Sequence, residues 1–163
     1  MTSSQQSVQE ELSQRYRKAV MVVAAFLVLD VVLVIISLLA ATSLYRGGDP
    51  SLIMALWIAI LVFGLGAFVL RRTRFATLRL KDVAAVNGVS ALLKSLQNTT
   101  IQVAGIGGAI ALMGFMIVIL RGDWTDMIRA GGVAAIVLLY CFPFRGAWQK
   151  VVTQLAPADT NRL

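Results

Sequence analysis

The residue with the clearest chemical potential is Asp30. It lies twelve residues after Lys18 and sixteen before Arg46, and it is the only charged residue between Ala19 and Tyr45. A carboxylate at the centre of an apolar, bilayer-spanning helix costs roughly 3 kcal/mol on insertion scales. No Lys or Arg of this chain shares its depth. Its partners must therefore be hydroxyls, backbone carbonyls, water or a residue of another subunit. Two readings follow: a proton or cation site, or a neutral acid hydrogen-bonded in a helix interface. No second ionisable group completes a relay, which favours the interface.

The rest of the chemical inventory is thin. The chain has no histidine and a single cysteine, Cys141, inside an apolar run. That removes the usual axial ligand of a b-type haem, the commonest zinc and copper ligand and the commonest general base. One thiol builds neither an intrachain disulfide nor an iron–sulfur site. No phosphate-binding loop, dinucleotide fingerprint or nucleophile elbow occurs. The expectation is a protein that is not an enzyme and holds no cofactor or metal.

Two further residue sets point to contacts rather than reactions. The first is a run of small residues, Ala104, Gly105, Gly107, Gly108, Ala109, Ala111 and Gly114, with several pairs four apart. That spacing lets helix backbones approach closely, and packing drives association in lipid. Ordinary intrachain packing is favoured over a partner contact. Thr99, Thr100 and Gln102 add polar handles at the start of this span, and Gly131, Gly132, Ala134 and Ala135 give a second small face. The stretch Gly108 to Gly114 resembles the carboxylate-bearing helix of rotary ATP synthase proteolipids over that one helix. The acid position is occupied by Gly108, so the resemblance implies no ion binding. The second set is basic. Arg71, Arg72, Arg74 and Arg145 flank apolar runs, where anionic lipid headgroups are the natural partner and nucleic acid is not.

These residues must be positioned by membrane-spanning elements. The chain has 163 residues, of which 58% are hydrophobic and only 14% charged, with a net charge of +7 and a mean hydropathy of +0.80. Soluble domains carry about a quarter charged residues. No charge interrupts 50–70, 95–120 or 130–144. Crossing about 30 Å of hydrocarbon takes about 20 helical residues. The fourth run reaches that length only by starting near Asp126 and letting Arg129 snorkel. The runs do not alternate as barrel strands would, so helices are expected.

The expected fold is all-α, an integral membrane four-helix bundle of two helical hairpins with a helical cytoplasmic central loop. Its parts are a polar cytoplasmic segment 1–18, a first hairpin 19–71, a basic amphipathic loop 72–98, a second hairpin 99–145 and a tail 146–163. Residues 1–8 read as disordered. In the loop, Val89, Leu92, Leu93 and Leu96 recur at helical spacing, and Asn87-Gly88 signals a turn between two helical stretches. Twelve basic residues fall in the N-terminal segment, central loop and tail, against Arg46, Arg121 and Arg129 in the short loops. The positive-inside bias places both termini in the cytoplasm. No cleavable signal peptide is expected, because the first apolar run is too long.

Each half reads span, Gly/Asp turn, span, basic cluster. Asp49 precedes Arg71 by 22 residues, and Asp123 precedes Arg145 by the same 22, a hint of internal duplication. Trp57, Trp124 and Trp148, with Tyr16, Tyr45 and Tyr140, fit an interfacial belt. The leading functional expectation is a non-catalytic subunit that packs with and stabilises a larger membrane complex, in a bacterial inner (plasma) membrane. The alternatives are a small homo-oligomeric transporter or channel using Asp30, and a holin-like pore former.

Overall fold

Long apolar runs become helices because the helix satisfies every internal N–H and C=O within one segment. The computed structural model describes residues 3–74, 77–140 and 142, with side chains at 10, 12–73, 94–140 and 142. These residues form four helices, α1 (Ser3–Leu44), α2 (Pro50–Arg74), α3 (Thr77–Arg121) and α4 (Trp124–Tyr140), and no strands. Three of them contain segments long and apolar enough to cross a membrane, Leu12–Leu44, Pro50–Thr73 and Lys94–Arg121. The 17 described residues of α4 rise about 26 Å at about 1.5 Å per residue. That is a little short of a full bilayer core.

Two local expectations are corrected. The helix α1 begins at Ser3, so the disorder expected over 1–8 gives way to helix wherever those residues are described. The turn expected at Asn87-Gly88 does not form, and α3 runs unbroken through it. The segment 72–98, expected as two helical stretches flanking that turn, is one helix from Thr77, continuous with the third span. A glycine inside a helix costs about 1 kcal/mol against alanine, and asparagine less. Neither outweighs elongation of a helix already nucleated on both sides, where each added residue gains a hydrogen bond. Val89, Leu92 and Leu93 lie outside the described side chains.

The centre of the bundle is α3. It packs against α1, α2 and α4, while α1 and α2 hardly touch although a short turn joins them. Its small residues explain this. Gly108 lets the Phe26 ring of α1 lie directly over the α3 backbone. Gly107 receives Leu138 of α4, whose Cγ would stand 2.8 Å from an added Cβ. Gly114 faces Ala130 of α4, so two small residues meet where the helices come nearest. Around these contacts Val103, Ile110, Ala111, Ile117, Met127 and Ala134 are fully or almost fully buried. By contrast α2 buries only Ile60 and Ala67 completely, and exposes Leu52, Met54, Leu61, Val62, Leu65 and Val69.

The two short turns share one design. Gly47 and Gly122 have positive φ, 69° and 74°, conformations that side chains rarely adopt. Each is followed by an aspartate that caps the next helix. Asp49 Oδ1 accepts from the Ser51 N–H at 2.9 Å, and Asp123 Oδ1 accepts from the Thr125 N–H at 2.9 Å. The turns also dock on each other. The Arg46 N–H donates to the Ile119 carbonyl at 2.9 Å, Gly48 lies against Leu120, and Gly122 lies against Tyr45.

The glycine contacts give a graded test. A methyl at Gly114 meets the Ala130 methyl, whereas one at Gly105 meets nothing within 4 Å. Gly114→Ala is expected to cost about 1–3 kcal/mol by overpacking. Gly105→Ala is expected to be neutral or stabilising by up to about 1 kcal/mol through helix propensity. Gly108→Leu, which drives a branched side chain into Phe26, is expected to be worse than either. Unfolding in mild detergent under increasing denaturant measures all three.

Candidate functional site

The site is assembled by one face of α1. Ala19, Val23, Phe26, Asp30, Leu33, Ser37 and Ala41 recur every three or four residues and turn inward. Asp30 sits in the middle of that seam, only 4% exposed. It faces α4 at Gly131, where an added Cβ would stand 3.1 Å from Asp30 Oδ1 and 3.2 Å from Val34 Cγ2. A glycine at 131 is what allows a carboxylate to fit between the two helices. Asp30 Oδ1 has no hydrogen-bond partner among the described residues.

The other buried polar side chains are satisfied. Ser37 Oγ donates to the Leu33 carbonyl at 2.8 Å, Thr99 Oγ1 to Ser95 at 2.9 Å and Thr100 Oγ1 to Leu96 at 2.9 Å. Each hydroxyl is turned back on its own helix. The threonines expected as polar handles of the third span therefore offer nothing across the interface. Gln102 is exposed.

A second buried acid escaped the sequence reading as a site. Asp126, in the first turn of α4, is 1% exposed. Its Oδ2 accepts from Arg121 Nη1 at 3.4 Å, and its Oδ1 lies 4.0 Å from Arg129 Nη1. Both arginines are more than half exposed, so the pair joins a buried anion to solvent-facing cations at the helix end. The structure places Asp126 on a stripe with Ala130, Ala134 and Leu138, four residues apart and buried throughout.

The small residues expected as contacts divide. Ala104 packs with Val23 and Leu138, Ala111 lies in the main core, and Gly107, Gly108 and Gly114 receive neighbouring helices within the chain. Gly105 faces open space. Among the basic residues, the Arg71 guanidinium lies over the Tyr140 ring at 4.1 Å, and that ring stacks on Phe68 at 5.2 Å. Arg72 is exposed. The side chains of Arg74 and Arg145 lie outside the described residues, as do Cys141 and Trp148.

The described surface carries at least three clefts. One, of about 530 Å³, lies beside the docked turns and is lined by Tyr45, Pro50, Trp57 and Arg121 among others. A second, of about 450 Å³, runs along α1 from Leu12 to Met21. A third, of about 280 Å³, lies between α2 and α4. Asp30 lines none of these. The described residues contain no cluster of three metal-ligating acids, cysteines or histidines. Comparison with protein-family models, with curated proteins and with solved structures finds no match to this chain.

The capping aspartates outside the spans make a pH-dependent prediction. Hydrogen bonds from Ser51 hold the Asp49 carboxyl below its ordinary range, and those from Thr125 do the same for Asp123. A depressed folded-state pKa adds stability that is complete above the ordinary aspartate value of about 4 and is lost as pH falls through the folded value. The stability difference between the native chain and an Asp49→Asn, Asp123→Asn double variant is therefore expected to be full at pH 6. It should shrink as the pH falls below the ordinary aspartate value, measured by thermal unfolding in detergent.

Proposed function

We propose that this protein is a non-catalytic, multi-pass subunit that packs with a larger membrane protein complex and stabilises it. The observation that carries the reading is the contrast between α3 and α2. The small-residue face of α3 is occupied by the chain's own helices, leaving Leu112 and Met116 as its exposed large apolar residues among the described ones. Much of α2 faces outward and is apolar up to its basic end: Leu52, Met54, Leu61, Val62, Leu65 and Val69 are exposed, while Ile53, Leu56, Trp57, Ile60, Ala67 and Leu70 form its inner face. A bundle with a solid interior and one peripheral helix is suited to lateral packing in the bilayer plane. It is less suited to conducting a solute through its centre.

The topology follows the charge bias, with both termini, the 72–98 segment and the basic cluster after α2 on the cytoplasmic side and the two docked turns opposite. The contacts support alternating directions. The ends of α1 and α3 meet at Arg46 and Ile119. Gly107 pairs with Leu138 while Gly114 pairs with Ala130, so α3 and α4 run oppositely. A bacterial inner membrane is the setting proposed.

A second reading keeps Asp30 as an ion- or proton-binding group of a homo-oligomer. Its support is the carboxylate oxygen without a partner in the α1–α4 seam. The seam is closed on this side by Gly131, Val34 and Met127, so that reading needs a subunit rearrangement the first does not.

Native purification of a tagged full-length chain separates them. Stoichiometric recovery of larger membrane subunits, retained in an Asp30→Asn variant, is the expected outcome. A clean homo-oligomer that moves protons or cations in liposomes, with flux abolished by Asp30→Asn and assembly intact, would overturn it.

A further inference from the structure

The cleft between α2 and α4 has a shape and a charge that suit one ligand class. Its walls are Gly64, Ala67 and Phe68 of α2 and Val133, Ile136 and Val137 of α4, with Tyr140 at one end. The lining is almost wholly apolar; on α2 it lies within the segment apolar enough to cross a membrane, and on α4 it falls in the uncharged stretch after Arg129. These helices touch lightly, because Gly64 and Ala67 hold no bulk to fill the gap and Val133 is the nearest neighbour of a Cβ at Gly64, at 3.6 Å. Cationic groups stand at the Tyr140 end. Arg71 is one helical turn past Ala67, its guanidinium 4.1 Å from the Tyr140 ring centre, and Arg72 follows it, exposed.

We infer that this cleft binds one anionic phospholipid, with an acyl chain between α2 and α4 and the phosphate beside Arg71 and Arg72. A second copy of the chain or a partner helix would cover the apolar walls equally well. Neither would account for a guanidinium seated on the Tyr140 ring where the cleft ends. Arginine presents its donors as a fork that matches phosphate oxygens. Its aliphatic stem can run along the apolar wall while the head stays at the headgroup level. The Tyr140 ring occupies the amphipathic position expected at that boundary, and its face holds the Arg71 guanidinium in register with the cleft. The site does not depend on which protein the chain assembles with.

The test is native mass spectrometry of the full chain in mild detergent, with phosphatidylglycerol and phosphatidylcholine of identical acyl chains supplied in equal amounts. The native chain is expected to retain one phosphatidylglycerol in preference to phosphatidylcholine. An Arg71→Gln, Arg72→Gln variant is expected to lose the preference, binding both equally. Gly64→Leu, which fills the cleft floor, is expected to lose both lipids. Ile136→Trp crowds the rim from a position already 69% exposed, so folding is not at stake, and it is expected to weaken both. Preference unchanged in the arginine variant would overturn the headgroup assignment. Lipid retention unchanged in both Gly64→Leu and Ile136→Trp would overturn the cleft. A native dimer that these two variants split into lipid-free monomers would show that a second copy covers the cleft instead.

Discussion

Three helices converge on α3, and two of them, α1 and α4, seat where α3 presents almost no side chain. In lipid there is no hydrophobic gain from bringing two apolar helices together, since acyl chains are as apolar as leucine. What remains is dispersion over closely matched surfaces, small per atom pair and large in sum. Gly107, Gly108 and Gly114 convert that weak force into a specific arrangement, because each admits one particular partner: Leu138, Phe26 and Ala130. The placement of every other element follows. With α1 and α4 seated on α3, they meet each other along the Asp30–Gly131 seam, and α2 is left at the edge.

The turns are the second fixed point, and they limit how freely the helices can slide. A positive-φ glycine followed by a capping aspartate closes each connection in a few residues, and the backbone bond from Arg46 to Ile119 ties one connection to the other. Tyr45 over Gly122 and Leu120 against Gly48 make the tie nearly reciprocal. This is where the two halves look most alike, and the likeness has a local physical cause: any tight helix–helix turn needs a left-handed residue and a cap. The halves part company inside the spans, where Asp30 of the first has no acidic counterpart in the second.

What was legible in the sequence divides along the same physical line. Span existence depends on summed hydrophobicity over about 20 residues, and the runs around 19–45, 50–70 and 95–120 announce themselves, whereas the expected fourth, α4, is not among the segments long and apolar enough to cross. The small face of the third span was visible because glycine and alanine differ from their neighbours in size. The inward seam of α1 was not. Lipid-facing and core-facing positions are both apolar in a membrane helix, so Ala19, Val23, Leu33 and Ala41 cannot be told from Val28, Val31, Ile35 and Leu39 by hydrophobicity. Asp126 stayed hidden for a related reason. Next to Arg121 and Arg129 it reads as an ordinary interfacial charge, and only packing shows that its carboxylate is closed in while its arginines are not. The Asn87-Gly88 turn failed because local propensity is worth about a kilocalorie per mole and helix continuity on both sides was worth more.

Asp30 is set apart by a comparison within the same bundle. Ser37, Thr99 and Thr100 are equally buried, yet each discharges its polarity onto a carbonyl four residues back. Asp126 is more buried than Asp30 and has arginines to meet it. Asp30 Oδ1, in a seam with no cation at its depth, has neither outlet among the described residues. An unsatisfied buried polar group costs about 1–3 kcal/mol, and leucine or valine at position 30 would avoid that cost while filling the seam beside Val34. Bundle stability alone therefore gives no reason for an acid there. The remaining reasons lie outside the isolated chain, in a donor brought by a partner or in an ion or proton taken up when the seam opens. Either requires the seam to open, because the unpartnered oxygen is enclosed where Gly131, Val34 and Met127 meet.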